Sequence, residues 1–324
     1  MTSAHVILGL DTSNYTTSLA MLDVQGKFIS EERKLLEVKK GALGLRQSEA
    51  LFQHIRDLPM LSKRINKINS NYNIVAIAAA TRPRPISNSY MPVFLVAQSF
   101  GETMSNLLNI PFYSFSHQEG HIEAGLWSLN LKMNKPFLTL HISGGTTELL
   151  KVIPIKNGYN IEIVGKTGDI SAGQFIDRVG VKLNLPFPAG KDLEKLCEGE
   201  LKNNIDLPIA VKDTRVSFSG PETFVYKKLY GNITNSEIAY SVFYCIGKSL
   251  YKLIRNALKD HHYEDILIVG GVASNKIIKA YLQNHLRDDG IKVYFGESNY
   301  CSDNAVGIAA LGMKSYQYDQ GDMV

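Results

Sequence analysis

Residues 6–23 read VILGLDTSNYTTSLAMLD, a short apolar run ending in an aspartate, then a turn rich in hydroxyl groups, then a second apolar run. This order predicts two strands joined by a turn. The backbone N–H and hydroxyl groups of such a turn suit a phosphate, and the carboxylate of Asp11 suits a cation. A capped polar hairpin tip is the alternative interpretation, and this segment alone leaves both open.

The same plan recurs in the second half of the chain. Residues 137–142 (FLTLHI) are apolar, residues 143–147 (SGGTT) form a predicted turn, and residues 148–153 continue extended. A later strand over 266–269 runs into GGVASN at 270–275, before a helical pattern. Glycine lets backbone approach a ligand closely. Together these turns favour a nucleotide held between two α/β lobes. A dinucleotide-binding fold and a P-loop fold are not favoured, because the sequence has neither Gly-x-Gly-x-x-Gly nor a Walker lysine loop.

The composition narrows the class of protein. The 324 residues are 44% hydrophobic and 20% charged, with a mean hydropathy of -0.08. These values exclude collagen-like, disordered and disulfide-stapled chains and allow about two domains. A net charge of +4 is too slight to establish nucleic-acid binding. A hinge at 114–116 divides the predicted lobes into 1–114 and 115–324.

Neither a membrane location nor thiol chemistry is expected. The longest apolar runs, such as 266–273, are far shorter than the roughly 18 residues that span a bilayer. The amino terminus has no basic region of the kind that precedes a secretory signal, so a cytoplasmic location is expected. Three widely separated cysteines, Cys197, Cys245 and Cys301, lack the paired spacing of metal ligands and predict buried, reduced thiols.

Residues 117–121 read HQEGH and place two imidazoles four positions apart. On a helix this spacing puts His117 and His121 on one face, within reach of a single cation. A third ligand must come from elsewhere, and Asp11 and Asp303 are the candidates. The glutamate does not occupy the His-Glu-x-x-His position of a zinc protease. A histidine pair without a metal is the alternative.

Seven motifs in order give the chain a family resemblance over nearly its whole length. It resembles the catalytic subunit of tRNA threonylcarbamoyladenosine synthase, once called O-sialoglycoprotein endopeptidase, of the sugar-kinase, heat-shock-protein and actin superfamily. The matching stretches are ILGLDTS at 7–13, HQEGH at 117–121, SGG at 143–145, AGQFID at 172–177, SFSG at 217–220, GGVASN at 270–275 and CSDN at 301–304.

The resemblance implies an actin-like fold with a nucleotide cleft between the lobes and the last helix packed back on the first lobe. It implies that His117, His121 and Asp303 bind one Fe2+ or Zn2+ ion. The bound ligand would be ATP, AMP or threonylcarbamoyl-adenylate. The resemblance assigns catalytic contacts to Ser143, Gly144, Gly145 and Thr146. It assigns nucleotide binding to Asp11, Ser143, Gly144, Gly145, Asp177, Gly190 and Asn275. Of these, Asp177 and Gly190 would hold the ribose, and Asn275 would lie near the adenine and ribose.

The implied activity is transfer of a threonylcarbamoyl group from threonylcarbamoyl-adenylate to the exocyclic amine of a tRNA adenosine, with release of AMP. The implied partners are tRNA, an inactive homologous TsaB-like protein and a small TsaE-like ATPase. Two alternatives stay open: a carbamoyl-type transferase with a different acceptor, and a non-catalytic nucleotide-binding interaction subunit.

Several motifs depart from the family pattern on the predicted acceptor side. Thr146 follows the glycines where the family has histidine or asparagine, and TRPRP at 81–85 stands where the family has Gly-Pro-Gly. The first turn, at 13–17, has lost acidic residues, and Glu222 replaces a lysine. We expect these changes to alter charge along the acceptor path. The arginines of 81–85 either contact a phosphate or lie in a solvated loop.

Overall fold

The structure is a computed structural model that describes residues 4–13, 15–38, 45–68, 72–198, 205–229, 231–259 and 263–321. The chain forms two compact units. The first comprises Met1–Lys132, Pro154–Asn160 and Asp303–Val324, and the second comprises Met133–Ile153 and Ile161–Ser302.

The first unit is built on a five-stranded sheet in the order β3-β2-β1-β4-β5. β2 pairs antiparallel with both β1 and β3, whereas β4 runs parallel to β1 and to β5. The strands are β1 (Ala4–Asp11), β2 (Thr16–Asp23), β3 (Phe28–Leu35), β4 (Tyr72–Arg82) and β5 (Phe112–Ser116). The helices are α1 (Gln47–Ile68), α2 (Phe94–Leu108), α3 (His117–Ser128) and, from the end of the chain, α10 (Val306–Asp319).

Side-chain alternation explains how this sheet is covered. Leu8 and Leu10 of β1 point to one side and pack in a core with residues of α1 and α2. Ile7 points to the other side and packs near Met313 of α10. Because successive side chains of a strand face opposite ways, a strand apolar at every position must be buried on both faces. β1 is therefore a central strand.

The second unit is built on a seven-stranded sheet in the order β12-β11-β6-β7-β8-β10-β9. β6 pairs antiparallel with β7 and parallel with β11. The strands are β6 (Phe137–Ile142), β7 (Thr147–Ile155), β8 (Gly158–Thr167), β9 (Ala210–Lys212), β10 (Arg215–Ser217), β11 (Asp265–Val269) and β12 (Lys292–Phe295). The helices are α4 (Ala172–Lys182), α5 (Gly190–Lys195), α6 (Ser219–Lys228), α7 (Asn235–Ala257), α8 (Lys276–Asp288) and α9 (Ser298–Cys301).

The two sheets share the plan that the sequence repeats. In each, a central strand leads through a turn into an antiparallel neighbour and pairs in parallel with a later strand. The boundaries of these compact units, however, differ from the predicted lobe boundary at residue 114, because α3 lies in the first unit. α3 packs closely on α10, which joins the end of the chain to that unit. None of the helices within the described residues is both long and apolar enough to cross a bilayer.

Candidate metal and nucleotide sites

Two histidines and an aspartate of the first unit converge on one point. The Nε2 atoms of His117 and His121 lie 3.0 Å apart. Asp303 Oδ1 lies 3.6 Å from His117 Nε2 and 3.3 Å from His121 Nε2. Donor atoms that each lie about 2.1 Å from one metal ion, at angles near 90° to 110°, are separated by about 3.0 to 3.4 Å. The triangle therefore has the size and the donor set of a metal site.

Local signals place the two histidines. Ser116 caps α3 through a capping box, in which its hydroxyl accepts from the Glu119 N–H and Glu119 Oε2 accepts from the Ser116 N–H and Oγ–H. α3 therefore begins at His117, and His121 follows one turn later on the same face. Glu119 is committed to this cap, which leaves the middle residue of HQEGH outside the ligand triangle.

Long-range packing places Asp303, which lies three residues before α10. At Gly307 of α10 a Cβ atom would clash with the Gly120 carbonyl oxygen of α3 and lie 2.7 Å from the Ala124 nitrogen. The two helices approach this closely because glycines meet at their crossing. The side chain of Asn304 accepts from the N–H of Val306, the first residue of α10, at 3.0 Å. These contacts bring the Asp303 carboxylate to the imidazoles.

Asp11 serves as a support for His117. The Nδ1–H of His117 donates to Asp11 Oδ2 at 2.7 Å, and Asp11 Oδ1 accepts from the Ser13 N–H at 2.8 Å. The Nε2 of His117 is thereby directed at the triangle, as carboxylates beside metal-ligating histidines commonly arrange. Burial lowers the pKa of His117, but the Asp11 and Asp303 carboxylates outweigh it and raise that pKa to about 9. Of the two candidates for third ligand, Asp303 joins the triangle and Asp11 does not.

The predicted Ser-Gly-Gly turn joins β6 to β7 in the second unit. The Ser143 N–H donates to the Thr146 carbonyl, and the Thr146 N–H donates to Ser143 Oγ. Gly144 and Gly145 are exposed, and a Cβ on either would meet nothing within 4 Å. Packing does not explain these two glycines. Their bare backbone leaves room for a ligand.

The amino terminus of α4 lies directly against this turn. Ser171 caps α4, accepting from the Gln174 N–H at 3.0 Å and donating to the Gly144 carbonyl at 2.7 Å. A Cβ on Gly173 would clash with the Ser143 carbonyl and lie 2.5 Å from Gly144 Cα. A helix amino terminus attracts anions, so α4 adds to the phosphate-binding character of the turn. Motif reading missed Ser171 and Gly173 as site residues, although the serine, three before a glutamine, carries the capping-box signal.

Asp177 lies against the start of α5, the helix that begins at Gly190. Asp177 Oδ1 accepts from the Ala189 N–H at 2.8 Å, immediately before Gly190 begins α5. Burial raises the pKa of Asp177, opposed by this backbone bond. The carboxylate therefore supports the start of α5 with one oxygen. Its predicted contact with a ribose remains a prediction.

Asn275 is buried at the start of α8. Its Oδ1 accepts from the N–H groups of Ile277 and Ile278 at 3.1 and 3.0 Å, whereas its Nδ2 has no hydrogen-bond partner among the described residues. A buried amide donor without a partner costs free energy unless a ligand satisfies it. Just before this residue, Gly270 has a φ of +97° and sits against the Ile142 carbonyl, where any Cβ would clash. The second glycine loop is therefore packed beside the end of β6.

Comparison with known proteins decides the family. The family model for TsaD, tRNA N6-adenosine threonylcarbamoyltransferase, matches residues 40–310. The chain belongs to this family. A tRNA N6-adenosine threonylcarbamoyltransferase of Thermosipho africanus is 30% identical, over 96% of this chain and 94% of that protein. The one from Clostridioides difficile is 28% identical, over 96% and 93%.

Membership in the tRNA N6-adenosine threonylcarbamoyltransferase family confirms the predicted resemblance and the prediction of an enzyme, a transferase of tRNA modification. A further relative, from Thermoplasma acidophilum, is described as a probable bifunctional tRNA threonylcarbamoyladenosine biosynthesis protein. It is 28% identical, and the match covers 96% of this chain and 56% of that longer protein.

Solved structures confirm the predicted actin-like fold. Full-length HypF superposes with a TM-score of 0.60 at 15% identity, over 98% of this chain and 47% of HypF. An activator of 2-hydroxyisocaproyl-CoA dehydratase from Clostridium difficile gives 0.58 at 12%, over 98% of both chains. A ROK family glucokinase from Streptomyces griseus gives 0.54 at 10%, over 95% and 99%. At such low identity the similarity concerns the fold alone.

One expectation about the acceptor side is wrong. Glu222 was expected to present a negative charge to the acceptor, but its side chain is buried. Its Oε1 accepts from the Tyr226 hydroxyl at 2.7 Å, and its Oε2 lies 3.4 Å from Arg178 Nη1. A carboxylate enclosed by its own partners has little field outside the protein. Arg82, at the end of β4, donates to the hydroxyls of Thr81 and Ser114 and remains partly exposed.

Proposed function

We propose that this chain transfers a threonylcarbamoyl group from threonylcarbamoyl-adenylate to the exocyclic amine of a tRNA adenosine. The observation that carries the proposal is the triangle of His117, His121 and Asp303, whose three donor atoms lie within 4.8 Å of one another. Family membership supports the transfer reaction, and the triangle supports its dependence on a metal ion. The proposed reaction takes place in the cytoplasm, where tRNA is found.

His117, His121 and Asp303 would hold one divalent ion, which would offset negative charge on the adenylate phosphate when bound. Two imidazoles and a carboxylate suit Fe2+ and Zn2+ alike. Asp11 keeps His117 in the tautomer that turns Nε2 toward the ion, since its own bond is to Nδ1. These residues fit a metal ion because two imidazoles of α3 and the Asp303 carboxylate, just before α10, already lie close together.

The nucleotide would lie on the second unit's loops. The open backbone of Gly144 and Gly145, beside the amino terminus of α4, suits the phosphate or acyl group. Asp177, with Gly190, would accept hydrogen bonds from the ribose hydroxyls. The Nδ2 of Asn275 would donate to the adenine or ribose, which would satisfy the buried amide.

Positioning supplies most of the proposed catalysis. The adenosine N6 attacks the carbamoyl carbon, a C–N bond forms, the bond between that carbon and the phosphate oxygen breaks, and AMP leaves as the N6 proton is lost to solvent or product phosphate. Because AMP is a good leaving group, holding amine and carbamoyl carbon together contributes more than acid catalysis. Ser143 and Thr146 would orient the acyl group through the turn they close.

An exposed apolar surface supports the proposed protein partners. Phe52, Ile55 and Met60 of α1 are 65%, 46% and 41% exposed, and Leu35 at the end of β3 is 67% exposed. Apolar patches of this kind commonly mark interfaces between proteins. We assign the patch to the homologous TsaB-like partner; a TsaE-like ATPase would join the assembly.

The proposal is tested by supplying threonylcarbamoyl-adenylate, unmodified tRNA and the partner proteins, and by measuring modified adenosine with mass spectrometry. We expect product from the wild type and none from His117→Ala combined with His121→Ala, which we also expect to lose its metal by elemental analysis. Lys132→Ala, an exposed change outside α1 and outside the proposed site, is the control variant. Consumption of the adenylate without modified tRNA would indicate another acceptor. Binding without turnover would indicate an interaction subunit.

A further inference from the structure

A row of aromatic side chains runs along the outer sides of α7 and α8. Tyr240 and Tyr244 stack with ring centroids 6.0 Å apart, and Tyr244 meets Tyr281 at 5.2 Å. Tyr281 stacks on His285 at 4.0 Å with an angle of 15° between the rings, and Tyr251 lies 5.4 Å from His285. Each of the five residues is half-buried.

Helical spacing and one glycine produce this row. Tyr240, Tyr244 and Tyr251 fall on one stripe of α7. Gly247 lies between them, and a Cβ there would stand 3.0 Å from Tyr281 Cβ and 3.1 Å from Tyr281 Cγ. The glycine thus lets the Tyr281 ring rest on the backbone of α7. Helix packing alone accounts for the contacts between rings.

A stripe of cations borders the rings. Lys248, Lys252 and Arg255 follow at intervals of four and three residues, next to the tyrosine stripe, and residues 238–259 contain no aspartate or glutamate. The Arg255 guanidinium lies over Tyr251 at 5.9 Å and is paired with Asp289 of the α8–β12 loop. Asp289 thus offsets the charge of Arg255, and Lys248 and Lys252 are the remaining cations of this stripe.

We propose that this face of α7 and α8 is a binding surface for the tRNA acceptor, an inference that rests on the function proposed above. Lys248 and Lys252 contact phosphates, and unpaired bases stack on the row of rings, beginning at Tyr240, whose ring stacks with that of Tyr244. Cations beside aromatic rings are the combination that single-stranded nucleic acids recognise. A protein partner would not require this pairing of positive charge with ring faces.

The position of the surface suits this role. Asn275 caps α8, and Tyr281 follows six residues later, about 9 Å along the helix axis at 1.5 Å per residue. RNA bound to the rings therefore runs beside the helix whose first residues face the proposed nucleotide site. Sequence motifs do not include these tyrosines, so the surface extends the site beyond the family's motif residues.

The phosphate contacts are tested with Lys248→Glu combined with Lys252→Glu. The matched control is Lys132→Glu combined with Lys135→Glu, two exposed lysines with the same change of charge. The measurement is the Kd for an unmodified tRNA transcript between about 50 and 200 mM salt. We expect the first variant to bind about tenfold or more weakly, with a salt slope lower by about two, because two phosphate contacts are lost. The control keeps the wild-type slope.

The stacking contact is tested with Tyr240→Ala and Tyr240→Phe in the same assay. We expect the alanine variant to lose about fivefold or more in affinity while keeping the salt slope, and the phenylalanine variant to bind like the wild type. Thermal unfolding of each variant and binding of AMP by calorimetry report on folding and on the nucleotide site. Lys248→Gln with Lys252→Gln replaces the charge-reversed pair if that pair unfolds.

The outcomes separate this inference from the proposed function. Unchanged tRNA affinity and salt slope in the lysine variants, with tRNA modification intact, would overturn the binding surface and leave the reaction standing. If the wild type binds tRNA but never modifies it, and the lysine variants lose that binding, the binding surface is supported and the proposed reaction is overturned. A wild type that binds no tRNA, or a face that captures only a protein partner, overturns the surface.

Discussion

At the scale of single residues, the candidate site depends on hydrogen bonds that hold one atom of a side chain and thereby orient its second polar atom. His117 has two ring nitrogens, and Asp11 occupies one, so the other is available at the triangle. Asp177 and Asn275 likewise use one oxygen each to accept from backbone N–H groups, one for Asp177 and two for Asn275. The second atom of each side chain is then oriented by the first bond. A support such as Asp11 affects metal affinity although it does not itself contact the ion.

Asp11→Asn tests the support of His117. The amide keeps the size of the side chain but removes the charge that favours the Nδ1–H tautomer, so we expect metal affinity to fall by about 10- to 100-fold. Competition with a chelator, followed by elemental analysis, measures this. Glu102→Gln, the same loss of charge at an exposed position of α2 in the same unit, is the control. Unaltered metal affinity in Asp11→Asn would contradict the supporting role.

Asp177→Ala separates a ligand contact from a structural bond. We expect weaker binding of AMP, and a free energy of unfolding lower by about 1 to 3 kcal/mol because the Ala189 N–H loses its acceptor. Asp177→Asn keeps an oxygen for that N–H, so we expect it to restore stability while still binding the ribose less well. Calorimetry and chemical denaturation measure the two quantities. Wild-type affinity in both variants would assign Asp177 to structure alone.

At the scale of elements, the metal triangle depends on how closely α3 and α10 approach. Gly120 and Gly307 meet at the crossing, and the neighbours that a side chain would strike there include backbone atoms, which no rotamer can move aside. α4 depends in the same way on Gly173 to reach the Ser-Gly-Gly turn. The proposed ligand side chains meet only because these glycines let the backbones of neighbouring elements come close together.

Gly307→Ala tests this approach. The new methyl group would force α3 and α10 apart, so we expect a loss of about 1 to 3 kcal/mol in the free energy of unfolding, with weaker metal binding as Asp303 moves from the histidines. Gly220→Ala, where a Cβ meets nothing within 4 Å, is the control and should leave stability unchanged or slightly higher. Full metal affinity in Gly307→Ala would show that the triangle tolerates displacement of α10.

At the scale of the whole molecule, the chain keeps the motifs proposed to bind metal and nucleotide, while the turns proposed to face the acceptor differ from the family pattern. Thr146 is shorter than the histidine or asparagine of the family, and prolines at 83 and 85 restrict backbone that glycines would leave adaptable. Because Glu222 is buried and paired, we no longer expect it to change the charge that faces the acceptor. Three differences remain: Thr146, the prolines at 83 and 85, and the first turn at 13–17 without its acidic residues.

We expect transfer to tRNA by this chain to be about tenfold to a hundredfold slower than by a family member with Ser-Gly-Gly-His, since one polar contact typically contributes about 1 to 3 kcal/mol. Thr146→His should recover part of the rate, whereas Thr146→Val, which keeps the shape, should not. Modified adenosine formed per minute in the reconstituted system is the measurement. Equal rates for this chain and the ordinary member, with no gain from histidine, would refute the account.

The sequence by itself determined the α/β class, the repeated strand-turn-strand plan and the pair His117 and His121, because period and spacing are local properties of the chain. Tertiary structure decided that Asp303 joins the triangle while Asp11 supports it, since both carboxylates are distant in sequence from the histidines. It also decided the burial of Glu222 and the grouping of α3 with the first unit. These depend on close contacts such as Gly120 with Gly307, which no local pattern specifies.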